Sequence, residues 1–282
     1  MDGRLFQFTP RDKNLLAFMS LNAQSKPCSN ALVFIAGQTD GFLSLNYSVP
    51  LAGKLATLDY SLIQVNLGSS FLQFGFKCLQ TDSEDLTDLV SHIEEKYEFK
   101  KIVFMGSSTG CQDILYFLRH SVLSNTIDAV ILQGAVSDRD YITTLPETQG
   151  MLQQARELKQ SNQGEICLSE RYFDAPITAN RYLSLAERLG DDDMFSLDLT
   201  EAELIPILSA VKIPIALCFS GQDEYVLDRD GQRVFAERMV GVLQRNAPRV
   251  ECRYFDGDHM LTRPEYHQTF VDFVSDFASK LL

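Results

Sequence analysis

Ser108 stands in Gly106-Ser107-Ser108-Thr109-Gly110, a Gly-x-Ser-x-Gly turn whose two flanks differ in kind. The five residues before it, Lys101-Ile102-Val103-Phe104-Met105, form an apolar run of strand length, and 111–120 carry the spacing of a helix. A serine on so sharp a strand-to-helix turn takes a strained backbone conformation that pushes its hydroxyl into the open. Gly106 and Gly110 are the elbow glycines, since a Cβ at either would collide with the neighbouring strand or helix. A serine hydroxyl is a weak nucleophile until a base takes its proton, and the base needs a third group to hold its tautomer. The chemistry to look for is acyl transfer by a serine, a histidine and a carboxylate.

The chain has four histidines. His92 and His120 fall on polar faces of helical segments and His267 is early in the last one, so all three read as solvated. His259 follows a strand in Phe255-Asp256-Gly257-Asp258-His259-Met260 and is the expected base. For the acid, Ser220-Gly221-Gln222-Asp223-Glu224-Tyr225-Val226 offers two carboxylates. Asp223 has the Asp-x-x-Val spacing that turns an acid inward while the valine packs on the sheet edge; Glu224 is the fallback. Asp258 precedes the imidazole directly and should point away from it. Serine, acid and histidine then occur in that chain order. The oxyanion of the tetrahedral intermediate needs two backbone donors. The Thr109 amide, just after the nucleophile, is one. The Gln38 amide in Ala36-Gly37-Gln38-Thr39-Asp40-Gly41 is the other, with Gly37 and Gly41 letting that loop curl inward. Neither lysine nor P-loop spacing is present there, which argues against a phosphate cradle.

These corners need a scaffold. Strand-like runs fall at 6–8, 15–21, 31–36, 61–67, 101–105, 127–132, 213–219 and 250–255, with a polar turn at Arg11-Asp12-Lys13-Asn14 between the first two. Helical patterns fall at 49–58, 83–97, 110–120, 229–244 and 265–281, the second opened by Asp82-Ser83-Glu84-Asp85. The alternation predicts an α/β fold: a mostly parallel eight-stranded sheet with helices on both faces and an antiparallel edge pair. With the elbow after the fifth strand, this is the layout of an α/β hydrolase. Residues 138–212 break the alternation between the sixth and seventh strands and contain helical stretches at 149–160 and 179–189. They read as a helical cap over the site, inside one domain spanning 1–282.

A formal net charge of −13 disfavours nucleic acid or an anionic membrane as partner, because phosphates would be repelled. The six cysteines, at 28, 78, 111, 167, 218 and 252, include no Cys-x-x-Cys and suit a reducing compartment. Cys218 and Cys252 sit in apolar strand patterns, where a thiol behaves as a small hydrophobe. No signal-peptide core or membrane-length apolar run is present, and Ser279-Lys280-Leu281 is followed by Leu282, so it does not end the chain as a peroxisomal address must. The expected location is cytoplasmic. No metal or organic cofactor is called for, and the oligomeric state is not legible.

The block Gly106-Ser107-Ser108-Thr109-Gly110-Cys111-Gln112-Asp113, with Gly37-Gln38-Thr39-Asp40-Gly41 and Ser220-Gly221-Gln222-Asp223-Glu224-Tyr225-Val226, resembles one family in particular. This is the family of uncharacterised fungal, plant and protozoan α/β hydrolases that includes the fungal siderophore esterase acting on fusarinine-type iron chelators. The resemblance spans nearly the whole chain, although members often carry His where this chain has Ser107. It implies a serine hydrolase that cleaves a small-molecule carboxylic ester through an acyl-enzyme, with a hydroxamate siderophore ester as the implied substrate. The acidic residues Asp191, Asp192, Asp193, Asp198, Glu201 and Glu203 could favour a cationic ligand or be a solvated face. The rival readings are a thioesterase, acyltransferase or lipase of the same fold, and a ligand-binding homologue without catalysis.

Overall fold

The computed structural model describes residues 1–9 and 14–281, so residues 11–13 of the expected first turn lie outside the described residues. Eight strands form one sheet: β1 (Gly3–Gln7), β2 (Leu16–Ser20), β3 (Asn30–Ile35), β4 (Tyr60–Val65), β5 (Ile102–Ser107), β6 (Ala129–Gln133), β7 (Ile215–Ser220) and β8 (Val250–Phe255). Their order is β1-β2-β4-β3-β5-β6-β7-β8. β1 and β2 pair antiparallel, as do β2 and β4, and every pairing from β4 through β8 is parallel. β3 lies between β4 and β5, so the strand order reverses there, and a crevice opens at the carboxyl ends where two loops part. Ile35 pairs with Gly106 in that register, which sets the loop after β3 beside the turn after β5.

Parallel strands covered on both faces should read as unbroken apolar runs. In β5, Phe104 points into one apolar cluster and Val103 and Met105 into the other. The first cluster takes its helical side from α2 (Leu79–Tyr97), α3 (Gly110–His120) and α8 (Arg229–Leu243). The second takes it from α1 (Ser48–Ala56) and α9 (Pro264–Ser279). Two details depart from expectation. α2 begins at Leu79 rather than at the acidic stretch, because the Thr81 hydroxyl accepts the Cys78 N–H at 3.1 Å and closes the helix a turn earlier. Asp82 and Asp85 therefore lie inside the helix, and both are buried. β8 is an edge strand with only Phe255 buried, so Cys252 is exposed while Cys218 on β7 is buried. Periodicity cannot separate an edge strand from a central one.

Between β6 and β7 run α4 (Asp138–Ile142), α5 (Thr148–Gln160), α6 (Ala179–Ala186) and α7 (Glu201–Leu208). The first three share an apolar cluster of their own with Tyr172 and Ile177, whereas Phe195, Leu199, Leu204 and Leu208 join the first cluster of the sheet. The acidic run in this segment is largely paired within the chain. Asp192 meets Arg181, Asp193 and Asp198 meet Arg139, Glu203 meets Arg188 at 2.7 Å and Glu201 meets Arg245 at 2.6 Å. Among the described residues no helix is long and apolar enough to cross a membrane.

Candidate active site

Ser108 has φ of 53°, in the left-handed region that a residue with a side chain rarely enters. Such a conformation costs about 1–3 kcal/mol. Two hydrogen bonds hold it: the Ser108 N–H donates to the Gln133 carbonyl at 2.9 Å, and its own carbonyl accepts the Cys111 N–H at 2.9 Å. A Cβ on Gly106 would lie 2.5 Å from the Gly110 carbonyl oxygen, so helix α3 can turn back onto β5 only over glycine. From the neighbouring loop, a Cβ on Gly37 would come within 2.7 Å of the Ser108 Cβ. Gln38, the next residue, is thus brought alongside the serine. The backbone N–H groups of Gln38 and Thr109 have no hydrogen-bond partner among the described residues.

His259 and Asp223 meet across the ends of β8 and β7. The Nδ1 of His259 lies 2.7 Å from Asp223 Oδ2, and both side chains are buried. The other carboxylate oxygen accepts the Tyr225 N–H at 3.0 Å. Glu224 is exposed and accepts the backbone N–H of His259 at 2.9 Å, so of the two candidate acids it is Asp223 that touches the ring. Burial alone would lower the imidazole pKa, but the hydrogen bond and charge of Asp223 outweigh it, and Glu224 and Asp138 add to them. The result lies above the ordinary 6.5. His259 Nε2 is buried without a hydrogen-bond partner among the described residues, and His259 borders the same cavity as Ser108. Asp258 turns away to accept the Thr262 N–H at 2.7 Å.

The other histidines have structural partners instead. His92 stacks on Phe6 with ring centroids 5.3 Å apart, and His120 packs on Tyr116 at 4.2 Å. His267 is half-buried and lies 2.9 Å from the Leu261 carbonyl, so it is less solvated than expected.

A buried glutamine that sequence reasoning missed ties the corners together. Gln133, at the end of β6, donates from Nε2 to the His259 carbonyl at 2.7 Å, and its Oε1 accepts the Ser107 hydroxyl at 2.6 Å. The Tyr47 hydroxyl reaches the same oxygen at 3.3 Å. Ser107 is therefore a hydrogen-bonding link to the loop of His259. The three residues after the elbow also have separate tasks. The Cys111 thiol donates to the Gln133 carbonyl at 3.3 Å, and Gln112 Nε2 donates to Asp138 Oδ2 at 2.8 Å. Asp113 turns under the turn towards Arg181 and Asp82, where burial and the neighbouring carboxylates raise its pKa well above the carboxylate range.

Ser108 and His259 open into a cavity of about 690 Å³, its open mouth included, bordered also by Gln38, Asp40, Asp138, Tyr141, Tyr172, Phe173 and Tyr225. Burial raises the pKa of Asp138 to about 7 and that of Asp40 to about 6.

Residues 2–251 match the family model described as a protein of unknown function, DUF1749. A UPF0613 protein of Schizosaccharomyces pombe is 31% identical over 250 residues, covering 79% of this chain and 78% of that protein. The fusarinine C esterase sidJ of Aspergillus fumigatus is 26% identical over 260 residues, covering 71% of this chain and 73% of its own length. The solved siderophore hydrolase EstB, also from Aspergillus fumigatus, superposes with a TM-score of 0.82 at 24% identity, over 100% of this chain and 98% of that one. At that identity the likeness is one of fold, and the eight-stranded sheet with its serine elbow is that of the α/β hydrolases. By the length of its match, the chain belongs to the DUF1749 family.

Proposed function

We propose that the protein is a serine esterase in which Ser108 is the nucleophile, His259 the general base and Asp223 the group that orients it. The single observation that carries this reading is the 2.7 Å contact of Asp223 with His259 Nδ1, which leaves Nε2 buried and without a hydrogen-bond partner among the described residues on a histidine that borders the cavity of Ser108. Nε2 takes the Ser108 proton as Oγ attacks the ester carbonyl carbon. The Gln38 and Thr109 amides hold the oxyanion. Collapse breaks the ester C–O bond and expels the alcohol, which leaves with the proton from His259. Water, deprotonated by His259, then attacks the acyl-enzyme and releases the acid and free Ser108. The names of the relatives, a fusarinine C esterase and an esterase of Emericella nidulans, support an ester substrate. We assign a siderophore ester as its class. The six thiols, all unpaired, suit a reducing compartment, and we place the protein in the cytosol.

Ser108→Ala should lower kcat on a short acyl ester by roughly 10⁶-fold with the fold unchanged. A fluorophosphonate probe should label the native protein at Ser108 and leave the variant unlabelled. Turnover that survives in the variant would overturn the assignment.

A further inference from the structure

The cavity beside Ser108 carries two carboxylates that the proposed reaction does not use, Asp40 on the loop after β3 and Asp138 at the start of α4. No lysine or arginine borders it among the described residues. Asp138 has one oxygen on Gln112, and its other oxygen has no hydrogen bond from the described residues. Four aromatic residues, Tyr141, Tyr172, Phe173 and Tyr225, border the same cavity. Tyr141 stands edge-on to Tyr225 at 5.0 Å and stacks on Phe173 at 6.2 Å, and Tyr172 meets Phe173 edge-on at 4.7 Å. Tyr172 is only 3% exposed, borders the cavity, and its hydroxyl has no hydrogen-bond partner among the described residues. A buried phenol without a partner is costly unless something entering the cavity satisfies it. Carboxylates within a wall of aromatic faces form an environment that attracts a cation, through charge and through ring quadrupoles together.

We propose that this cavity contains a cation subsite, in which Asp138 and Asp40 within the ring of Tyr141, Tyr172, Phe173 and Tyr225 hold an ammonium group of the ester substrate. The subsite selects esters that carry a positive charge over neutral esters of the same shape. This rests on the esterase reading above and adds the charge of its substrate. Burial holds both carboxylates partly protonated near neutrality, and an arriving cation favours their ionised form. Both also act electrostatically on His259, so the test must separate binding from the strength of the base.

A pair of esters that differ only in charge does so: butyrylcholine, and 3,3-dimethylbutyl butanoate, in which carbon replaces the quaternary nitrogen. Calorimetry on the Ser108→Ala protein at pH 8 should show roughly tenfold tighter binding of the charged ester. In the active protein, kcat/KM should favour it by a similar factor, and Asp138→Asn or Asp40→Asn should bring that ratio towards one. The ratio cancels any change in His259, because the same base serves both esters. Using two separate variants guards against one that does not fold. Equal binding of the two esters by Ser108→Ala, or a ratio that persists in both aspartate variants, overturns the subsite. Failure of the esterase reading looks different: neither ester is turned over, while the preference in binding stands.

Discussion

On one side of Ser108 a single buried carboxylate, Asp223, meets a single imidazole, and both of its oxygens are hydrogen-bonded. On the other side, Asp82, Asp113 and Asp192 gather around one guanidinium, that of Arg181. Arg181 pairs with Asp192 and also donates to the Phe74 carbonyl at 3.0 Å, while Asp82 and Asp192 each keep a buried oxygen without a hydrogen-bond partner among the described residues. A low-dielectric interior does not tolerate three negative charges per positive one. The excess is relieved by protons, as the raised pKa values of Asp82 and Asp113 indicate, burial being the leading cause for both. One side of the serine turn is thus matched in charge and can act on a proton, and the other stores protons. Arg181 lies in α6 and Asp113 in α3, so the second cluster also joins the segment between β6 and β7 to the helix that follows the elbow.

The largest effect should come from breaking the matched side. Asp223→Asn keeps the shape but favours the wrong imidazole tautomer, and kcat should fall by about 10⁴-fold while the thermal midpoint changes little. The pH profile sharpens the point. The proposed reaction needs neutral His259, whose pKa Asp223 helps to raise, so native activity should fall as pH drops through a midpoint above 6.5. In the variant that midpoint should move down, read from kcat/KM on a neutral ester. An unmoved midpoint would mean that Asp223 does not govern the base.

Breaking the other side should act on stability. Arg181→Met removes the guanidinium that pairs with Asp192 and leaves carboxylates buried against one another, which should cost about 3–5 kcal/mol in urea unfolding at pH 8. At pH 5 the cost should be smaller, because the carboxylates can take protons in place of the lost cation. Equal losses at both pH values would show that the cluster does not store protons, and the contrast with the Asp223 side would fail.

How much of this could be read in the chain follows the range of the forces involved. The bounds of α3, 110–120, and of β8, 250–255, were legible because they rest on local periodicity and on glycines at a turn. Ser108, Asp223 and His259 could be singled out as candidates because each stands after an apolar run, where loops of a parallel sheet converge, and the structure brings Asp223 onto His259 and Ser108 and His259 to one cavity. Gln133 was not. A glutamine closing a strand looks like an ordinary polar stop, and only the return of the chain 126 residues later gives its amide a partner. The acidic run from 191 to 203 looked like either a solvated face or a ligand site. Asp191, Asp198 and Glu201 are indeed exposed, but Arg139, Arg181, Arg188 and Arg245 pair with most of the run from positions that no spacing rule connects. The same blindness covers Asp40 and Asp138, whose meeting in one cavity depends on how the segment after β6 folds back over the loop after β3.

The smallest expected effect isolates one stored proton. Asp82 is 4% exposed, one of its oxygens is unpartnered, and burial raises its pKa over the lowering effects of a Ser69 hydrogen bond and the Arg181 charge. A folded-state pKa above the unfolded value means that the folded protein binds the proton more tightly. The stability this contributes is fully present below the unfolded pKa of about 3.9 and is lost as pH rises through the folded one. The native thermal midpoint should therefore decline as pH rises towards and through neutrality. Asp82→Asn fixes the uncharged form, so its midpoint should decline less over the same range, with a gap of about 2–4 °C at the alkaline end for each kcal/mol relieved. Parallel curves for the two proteins would place the stored proton elsewhere, on Asp113, and leave Asp82 as a filler of space in the pocket that Gln38 and Thr109 also border.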